Sequence, residues 1–304
     1  MVSANITELL ATYIHALHIL HYHKVLDGYG HLSVRNPQNS SNFFMMHQLA
    51  PAVVSGLGDI SEYRVWDAEP VDPNSPEAPS ERYIHSEILK RYSDVNVVLH
   101  GHADELVSYS ISGVTLRSAI HMAPFLKTGV PIFDITKYYR DNDTHDFLVR
   151  NQRLGAALAG VFDTPDLAGS TDSTQDKRGD HYEAHRRDDE FTSNEPDNDH
   201  AYPFHNLVLM QSHGFTAVAT DIKIVTYEGI YAVVNARVQA EALKIQHAYT
   251  GQAAQESNGI VYLNERQVRD SWATEIGIVG KPWESWVREV KVDPLYVNEL
   301  DSNM

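Results

Sequence analysis

Two histidines separated by one glycine, His100-Gly101-His102, end the run "SERYIHSEILKRYSDVNVVLHGH" that starts at Ser80, and Glu81 stands near its beginning. Along an extended strand, residues two apart face the same way. Both imidazoles can therefore be brought to one point, while Gly101 lets neighbouring backbone come close. A histidine at the end of a buried strand can equally be just a hydrogen-bonded core residue, so the pair alone does not make a metal site. Two further residues support one. A helix over 81–91, capped by Ser80, would carry Glu81 in its first turn over the strand end, with His85 one turn on and able to orient it. His213 again follows an apolar strand and again precedes a glycine. Three histidines and a carboxylate satisfy a divalent ion such as Zn2+ or Mn2+ and leave a place for a substrate oxygen.

Composition narrows the chemistry. The chain has 304 residues and no cysteine, so disulfides, thiolate nucleophiles and cysteine-based metal sites are excluded, and a metal must rest on carboxylates and the 17 histidines. A net charge of -17 argues against an extended phosphate-binding surface and hence against nucleic acid, leaving a small molecule as the expected partner. The start carries no basic segment followed by an apolar core, and no apolar run is long enough to span a bilayer, so a cytoplasmic protein without membrane contact is expected.

The elements that would position these groups follow from periodicity. Apolar residues at three- and four-residue steps predict a helix over 6–20, ending before Gly28. A second His-x-His, His21 and His23, falls at its end. Helical neighbours two apart diverge by about 200°, so this pair reads as solvent-facing rather than as a shared site. The stretch "DGYGHLSVRNP" reads as a glycine turn and a short strand, "VNVVLHGH" as a β-branched strand, and "ADELVSYSI" as a helix stopped by Gly113. "NLVLMQSHGFTAVAT" reads as two strands around Ser212, His213 and Gly214, and a long helix runs from Asp221 to about Tyr249. From Asp163 to His200, twelve acids face four Lys and Arg and apolar residues nearly vanish, which predicts a solvated acidic insertion at about 163–205. His181 and His185 inside it read as loop residues. Residues 251–304, with Trp272, Trp283 and Trp286, read as an extension that packs on the 1–250 domain or on a neighbouring subunit.

Four of these elements, in order, resemble the class II aldolase/adducin family. Gly30-His31-Leu32-Ser33-Val34-Arg35 is similar to its Gly-Asn-Val-Ser-Val-Arg element, Ser80-Glu81 to its Ser-Glu before a helix, His100-Gly101-His102 to its His-x-His, and His213-Gly214 to its late His-Gly. The resemblance implies an α/β fold with a central, mainly antiparallel sheet flanked by helices, and a homotetramer with active sites at subunit interfaces. It implies that His100, His102 and His213 hold the metal, with Glu81 as displaceable fourth ligand and general acid/base.

The departures set the expected reaction. The aldolases' phosphate-binding stretches read "HQLAP" and "APSE" here, their asparagine is His31, and their mid-chain tyrosine is replaced near His121 and Met122. "DGYGHLSVR", "LAPAVV", "ERYIHSEI" and "HMAPFLKTGVPIFDI" resemble the family's metal-dependent decarboxylases of hydroxypyridine dicarboxylates and dihydroxyphthalates. The expected activity is therefore a metal-dependent carbon-carbon lyase. The favoured form is a non-oxidative decarboxylase of a hydroxylated aromatic or related carboxylate, with an enolate-like charge stabilised by the metal. The alternatives are an aldolase for an unphosphorylated hydroxycarbonyl compound and a non-catalytic adducin-like interaction protein. Besides Glu81, His85 and His31 are the catalytic candidates. For substrate contact the candidates are the cations Arg35 and Arg82, with Gly30, Ser33, His47 and His121.

Overall fold

A seven-stranded sheet forms the centre of the protein, whose computed structural model describes residues 6–164, 201–250 and 259–301. Its strands are β1 (His31–Arg35), β2 (Asn42–Met46), β3 (Ile60–Arg64), β4 (Val97–Gly101), β5 (Ile132–Phe133), β6 (Leu207–Met210) and β7 (Gly214–Ala219). They lie side by side in the order β3-β2-β1-β4-β7-β6-β5. Every pairing is antiparallel except β5 with β6, so the expected α/β fold with a mainly antiparallel sheet is the one found.

Helices α1 (Ile6–Tyr22), α2 (Arg82–Arg91), α3 (Asp104–Ser112), α4 (Gln152–Val161), α5 (Ile222–Thr250), α6 (Glu265–Ile276) and α7 (Gly280–Lys291) surround the sheet. The alternation of β4 shows how the two faces divide. Leu99 packs on α5, where a methyl group added to Gly229 would stand 2.8 Å from it, and α1 packs beside α5. His100 points to the other face, towards the layer in which α2 and α4 pack on each other. The sheet centre is fully buried apolar surface, including Leu32, Val98, Leu99, Ala217 and Val218.

Two expectations meet a different outcome, and a third is narrowed. Helix α2 starts at Arg82, one residue later than predicted, and Glu81 rather than Ser80 occupies the cap position. Its side chain makes no cap bond; the carboxylate instead accepts a 2.9 Å hydrogen bond from the Val149 backbone N–H, far along the chain. His21 near the end of α1 and His23 just past it, read as solvent-facing, are half-buried beneath the C-terminal segment, with Tyr296 against His21 and Trp286 against His23. That segment packs on its own chain: α7 lies on α1 and α5, Trp283 and Trp286 are buried in the common core, and Trp272 meets Phe125.

Most of the acidic insertion, with His181 and His185, lies outside the described residues. Its flanks are held together, since His205 donates its backbone N–H to Phe162 O at 2.8 Å. Among the described residues no helix is long and apolar enough to cross a membrane.

Candidate functional site

Strand β4 brings the first two imidazoles together. His100 is its fourth residue and fully buried, and His102 follows just past its end. Their Nε2 atoms are 3.0 Å apart, close to the spacing of about 3.3 Å for two nitrogens bound at 2.0–2.1 Å to one tetrahedral ion. His213 comes from the tight β6–β7 turn, where Ser212 adopts a left-handed φ of 57° and Gly214 opens the next strand. A Cβ at Gly214 would stand 2.2 Å from Gly101 O, so only glycine allows β7 to lie this close to β4 and present His213 beside His102. The His102 and His213 rings stack with centroids 5.2 Å apart.

Glu81 completes the group. Its Oε1 is fixed by the Val149 amide, while Oε2 lies 3.5 Å from His213 Nε2 and 3.6 Å from His100 Nε2. One ligand atom from each of Glu81, His100, His102 and His213 falls within 4.8 Å of all the others. Neither ring nitrogen of His213 has a hydrogen-bond partner although both are buried, which is costly for a polar group unless something else occupies it. An ion bound through Nε2 resolves half of that deficit. Three imidazole nitrogens and a carboxylate oxygen, converging and enclosed, fit a divalent transition ion.

Outer partners orient these ligands. His102 Nδ1–H donates to Asp27 Oδ1 at 3.0 Å, and the same oxygen accepts the backbone N–H groups of Tyr29 and Gly30. Burial alone would raise the pKa of Asp27, yet these three hydrogen bonds together hold it well below the usual carboxylate range. His100 Nδ1 stands 3.3 Å from Thr216 Oγ1 on β7. Burial, then the surrounding imidazoles, push the pKa of His100 and of His31 far down, so both are neutral and able to offer a lone pair.

A second chain of groups leads away from the cluster. Ser33 Oγ is 2.7 Å from His85 Nδ1, His85 Nε2 is 2.7 Å from His31 Nδ1, and His31 Nε2 reaches within 3.9 Å of Glu81 Oε2. Burial lowers the pKa of His85 to about 3, so it is neutral, with one nitrogen donating and the other accepting. Its tautomer therefore decides whether His31 presents Nε2 to the site as a donor or as an acceptor. His85, expected to orient Glu81 directly, is thus engaged by His31 and Ser33, and the Val149 amide holds Glu81.

The cluster opens into a cavity of about 720 Å³. Met46, Leu49, Ala50, Ala78, Pro79 and Leu148 give it apolar walls, and His31, His47 and Arg150 also line it. Of the expected substrate contacts, only His47 is in the lining, with its Nε2 2.6 Å from Ser61 Oγ. Arg35 lies elsewhere because its guanidinium donates to the carbonyls of Ser40, Leu89, Tyr92 and Val95 and ties β1 to the end of α2. Arg82 is spent on Ala68 O and Glu69. Ser33 is fully buried beneath His85, and Gly30 packs against Gly101 of β4. His121 sits with Glu275 at another depression, beside α6. Asp27, Val149 and Arg150 were not singled out from the sequence. An Asp-Gly pair gave Asp27 the look of an ordinary turn, and nothing in "DFLVR" marked the other two.

Residues 9–164 match the family described as "Class II Aldolase and Adducin N-terminal domain". The chain is 40% identical over 287 residues to "Decarboxylase tropJ" of Talaromyces stipitatus, covering 94% of this chain and 96% of that protein. It is 26% identical over 152 residues to 3,4-dihydroxyphthalate decarboxylase of Arthrobacter keyseri, 47% of this chain and 58% of that protein. Among solved structures, L-fuculose 1-phosphate aldolase of Glaciozyma antarctica aligns over 98% of this chain and 96% of its own, with a TM-score of 0.62 at 14% identity. An aldolase II superfamily protein of Pseudomonas syringae gives the same TM-score and identity over 97% and 96%. The matched motif region, the near full-length relative and the shared fold agree: this chain belongs to the class II aldolase and adducin family.

Proposed function

We propose that the protein is a divalent-metal-dependent carbon-carbon lyase that removes carbon dioxide from a hydroxylated aromatic or related carboxylate. The observation that carries this reading is the convergence of Glu81, His100, His102 and His213 at the inner end of an apolar-walled cavity. Decarboxylation leaves an electron pair on carbon, and a divalent ion, Zn2+ or Mn2+, supplies a Lewis acid for the substrate oxygen on which that charge is delocalised. His100, His102 and His213 would hold the ion, and Asp27 would keep His102 turned towards it. The apolar walls take a planar ring and limit water at the carbon that must receive a proton. Glu81, tethered by Oε1, keeps Oε2 free to carry that proton. His31, its Nε2 set by the His85–Ser33 pair, stands beside Oε2 as a neutral partner for the proton or for a substrate oxygen. The phosphate-binding stretches of the aldolases are replaced by the apolar wall residues Leu49, Ala50, Ala78 and Pro79, which favours this reaction over cleavage of a phosphosugar.

The family resemblance supports a homotetramer, in which a neighbouring subunit would cover the open side of the cavity where Tyr29 stands exposed. The lyase reading is tested by elemental analysis of the purified protein together with a screen of hydroxyarene carboxylates for carbon dioxide release. Release that stops on chelation and returns with added Zn2+ or Mn2+ is expected. Undiminished release from thoroughly chelated protein would overturn the assignment, and release of an aldehyde in place of carbon dioxide would make it an aldolase.

A further inference from the structure

Cations are scarce where a carboxylate substrate would have to bind. The net charge is -17, and the cavity lining itself contains Asp27, Glu77 and Glu81. Among the described lining residues Arg150 is the one Lys or Arg side chain. Arg150 belongs to the segment 146–150, of which Leu148 and Arg150 line the cavity. Asp146 takes its Nε at 2.7 Å and its Nη2 at 2.5 Å, so one edge of the guanidinium is fixed. Half of the side chain remains exposed, and Nη1 with the second Nη2 hydrogen is left to donate. Phe147, next along, holds a left-handed φ of 66°, and its backbone N–H donates to Tyr139 OH at 2.8 Å, so the segment has a defined shape. Val149, adjacent to Arg150, is the residue whose amide fixes Glu81 Oε1. The group that positions the acid/base and the one guanidinium among the described lining residues are therefore consecutive.

We infer that Arg150 is the specificity-determining, anion-binding residue of the cavity, pairing with a substrate carboxylate other than the one that faces the metal cluster. This rests on the lyase reading for the metal-chelating end of the substrate and adds the other end. One carboxylate and its ortho hydroxyl face the cluster, the ring lies between Met46 and Leu148, and the distal carboxylate pairs with the free N–H groups of Arg150. The loop also makes selectivity and catalysis interdependent. A carboxylate drawn onto Arg150 stiffens the segment whose next residue sets the direction of Glu81, so a substrate lacking it should bind less tightly and turn over more slowly.

The test compares ligands that chelate alike and differ only in the distal charge. Salicylate, 4-hydroxyisophthalate and 2-hydroxyterephthalate are titrated calorimetrically into Zn2+-loaded wild type and the variants R150Q, R150K and D146N. Wild type should bind at least one of the dicarboxylates roughly tenfold or more tightly than salicylate, the scale of a charge-assisted hydrogen bond. R150Q should lose that preference while keeping salicylate affinity and metal content, and R150K should retain part of it. D146N, which leaves the guanidinium unpaired, should keep the preference or enlarge it. If Arg150 served only to brace the loop through Asp146, D146N would behave like R150Q, and the assignment would fall. It falls as well if wild type shows no preference, or if R150Q keeps the wild-type preference. Failure of the lyase reading looks different: none of the three ligands then depends on the bound metal, and no carbon dioxide is released from any of them.

Discussion

Histidines gather in two regions of this molecule, and only one of them resembles a site. Along α1, His15 meets Asp301 at 2.8 Å, His18 meets Val54 O at 2.9 Å and His21 meets Tyr296 OH at 2.9 Å, and His23, just past the helix end, lies 3.3 Å from Glu289. Each imidazole has a different partner, and together they fasten the C-terminal segment to the helix. At the end of β4, by contrast, His100, His102 and His213 turn one nitrogen each towards the same small volume, and His31 stands against them through His100. Both regions contain a His-x-His. The difference lies in backbone period: two steps along a strand restore the direction of a side chain, whereas two steps along a helix nearly reverse it. The same tripeptide pattern can therefore make a ligand pair or a pair of unrelated packing contacts.

The sharpest way to break that contrast is to remove the one ligand that arrives from a distant part of the chain. H213A should reduce metal affinity by more than the ~100-fold that loss of an outer partner can cost, and should bring decarboxylation to background. Metal content is read by elemental analysis and folding by circular dichroism. Normal metal content in a folded H213A protein would remove the β4 end from consideration as the metal centre. E81Q separates holding from proton transfer. The single amide oxygen keeps the Val149 N–H and leaves an NH2 towards the site that cannot carry the proton, so the three histidines should still bind metal while turnover falls by about 10²–10⁴. Unchanged turnover in E81Q would assign the proton to another group, with His31 the candidate outside the ligand set, 3.9 Å from Glu81 Oε2.

The outer support of the cluster offers a smaller effect. D27N keeps the turn geometry but replaces a charged acceptor, so His102 loses its charge-assisted partner. Metal affinity, measured by competition with a chelating dye, should fall by about 10–100-fold with the fold intact. Wild-type affinity in D27N would mean that His102 is oriented by the strand alone.

How much of this could be read in the chain depends on the range over which each residue is recruited. His100, His102 and the glycine between them are a local pattern, legible because strand period acts over two residues. Glu81 and His213 were legible through their resemblance to family motifs, although the cap position of Glu81 was not. The reason is that its carboxylate answers to Val149, 68 residues away, instead of to its own helix. Arg35 shows the reverse error. It stands in a motif that matches, yet its guanidinium is consumed by four backbone carbonyls that only the assembled strand and helix bring together. Arg150 lacks any periodic or motif context, and its place in the cavity comes from a loop with no regular structure. In the sheet, β1–β2, β2–β3 and β6–β7 pair strands that follow one another closely in the chain, whereas the central pairings β1–β4 and β4–β7 are long-range, as is the covering of α1 by α7.

The mildest test lies on the α1 side and concerns stability instead of catalysis. Burial lowers the pKa of His18 from 6.5 to about 4, its neutral Nε2–H donating to Val54 O. A folded pKa below the unfolded one means that the unfolded chain takes up the proton first. The stabilisation is complete above pH 6.5 and is lost as pH falls towards 4, by on the order of 2–3 kcal/mol. The other α1 histidines shift in the same direction for the same reason, burial beneath the C-terminal segment. Urea midpoints of chelator-treated wild type and H18Q, compared at pH 7 and pH 4.5, isolate this group, since the site histidines are common to both. Wild type should lose more stability than H18Q across that interval, and H18Q should bind metal normally at pH 7. Equal losses would show that His18 is protonated at no cost, and reduced metal binding would tie the two histidine regions together in a way their separate partners do not.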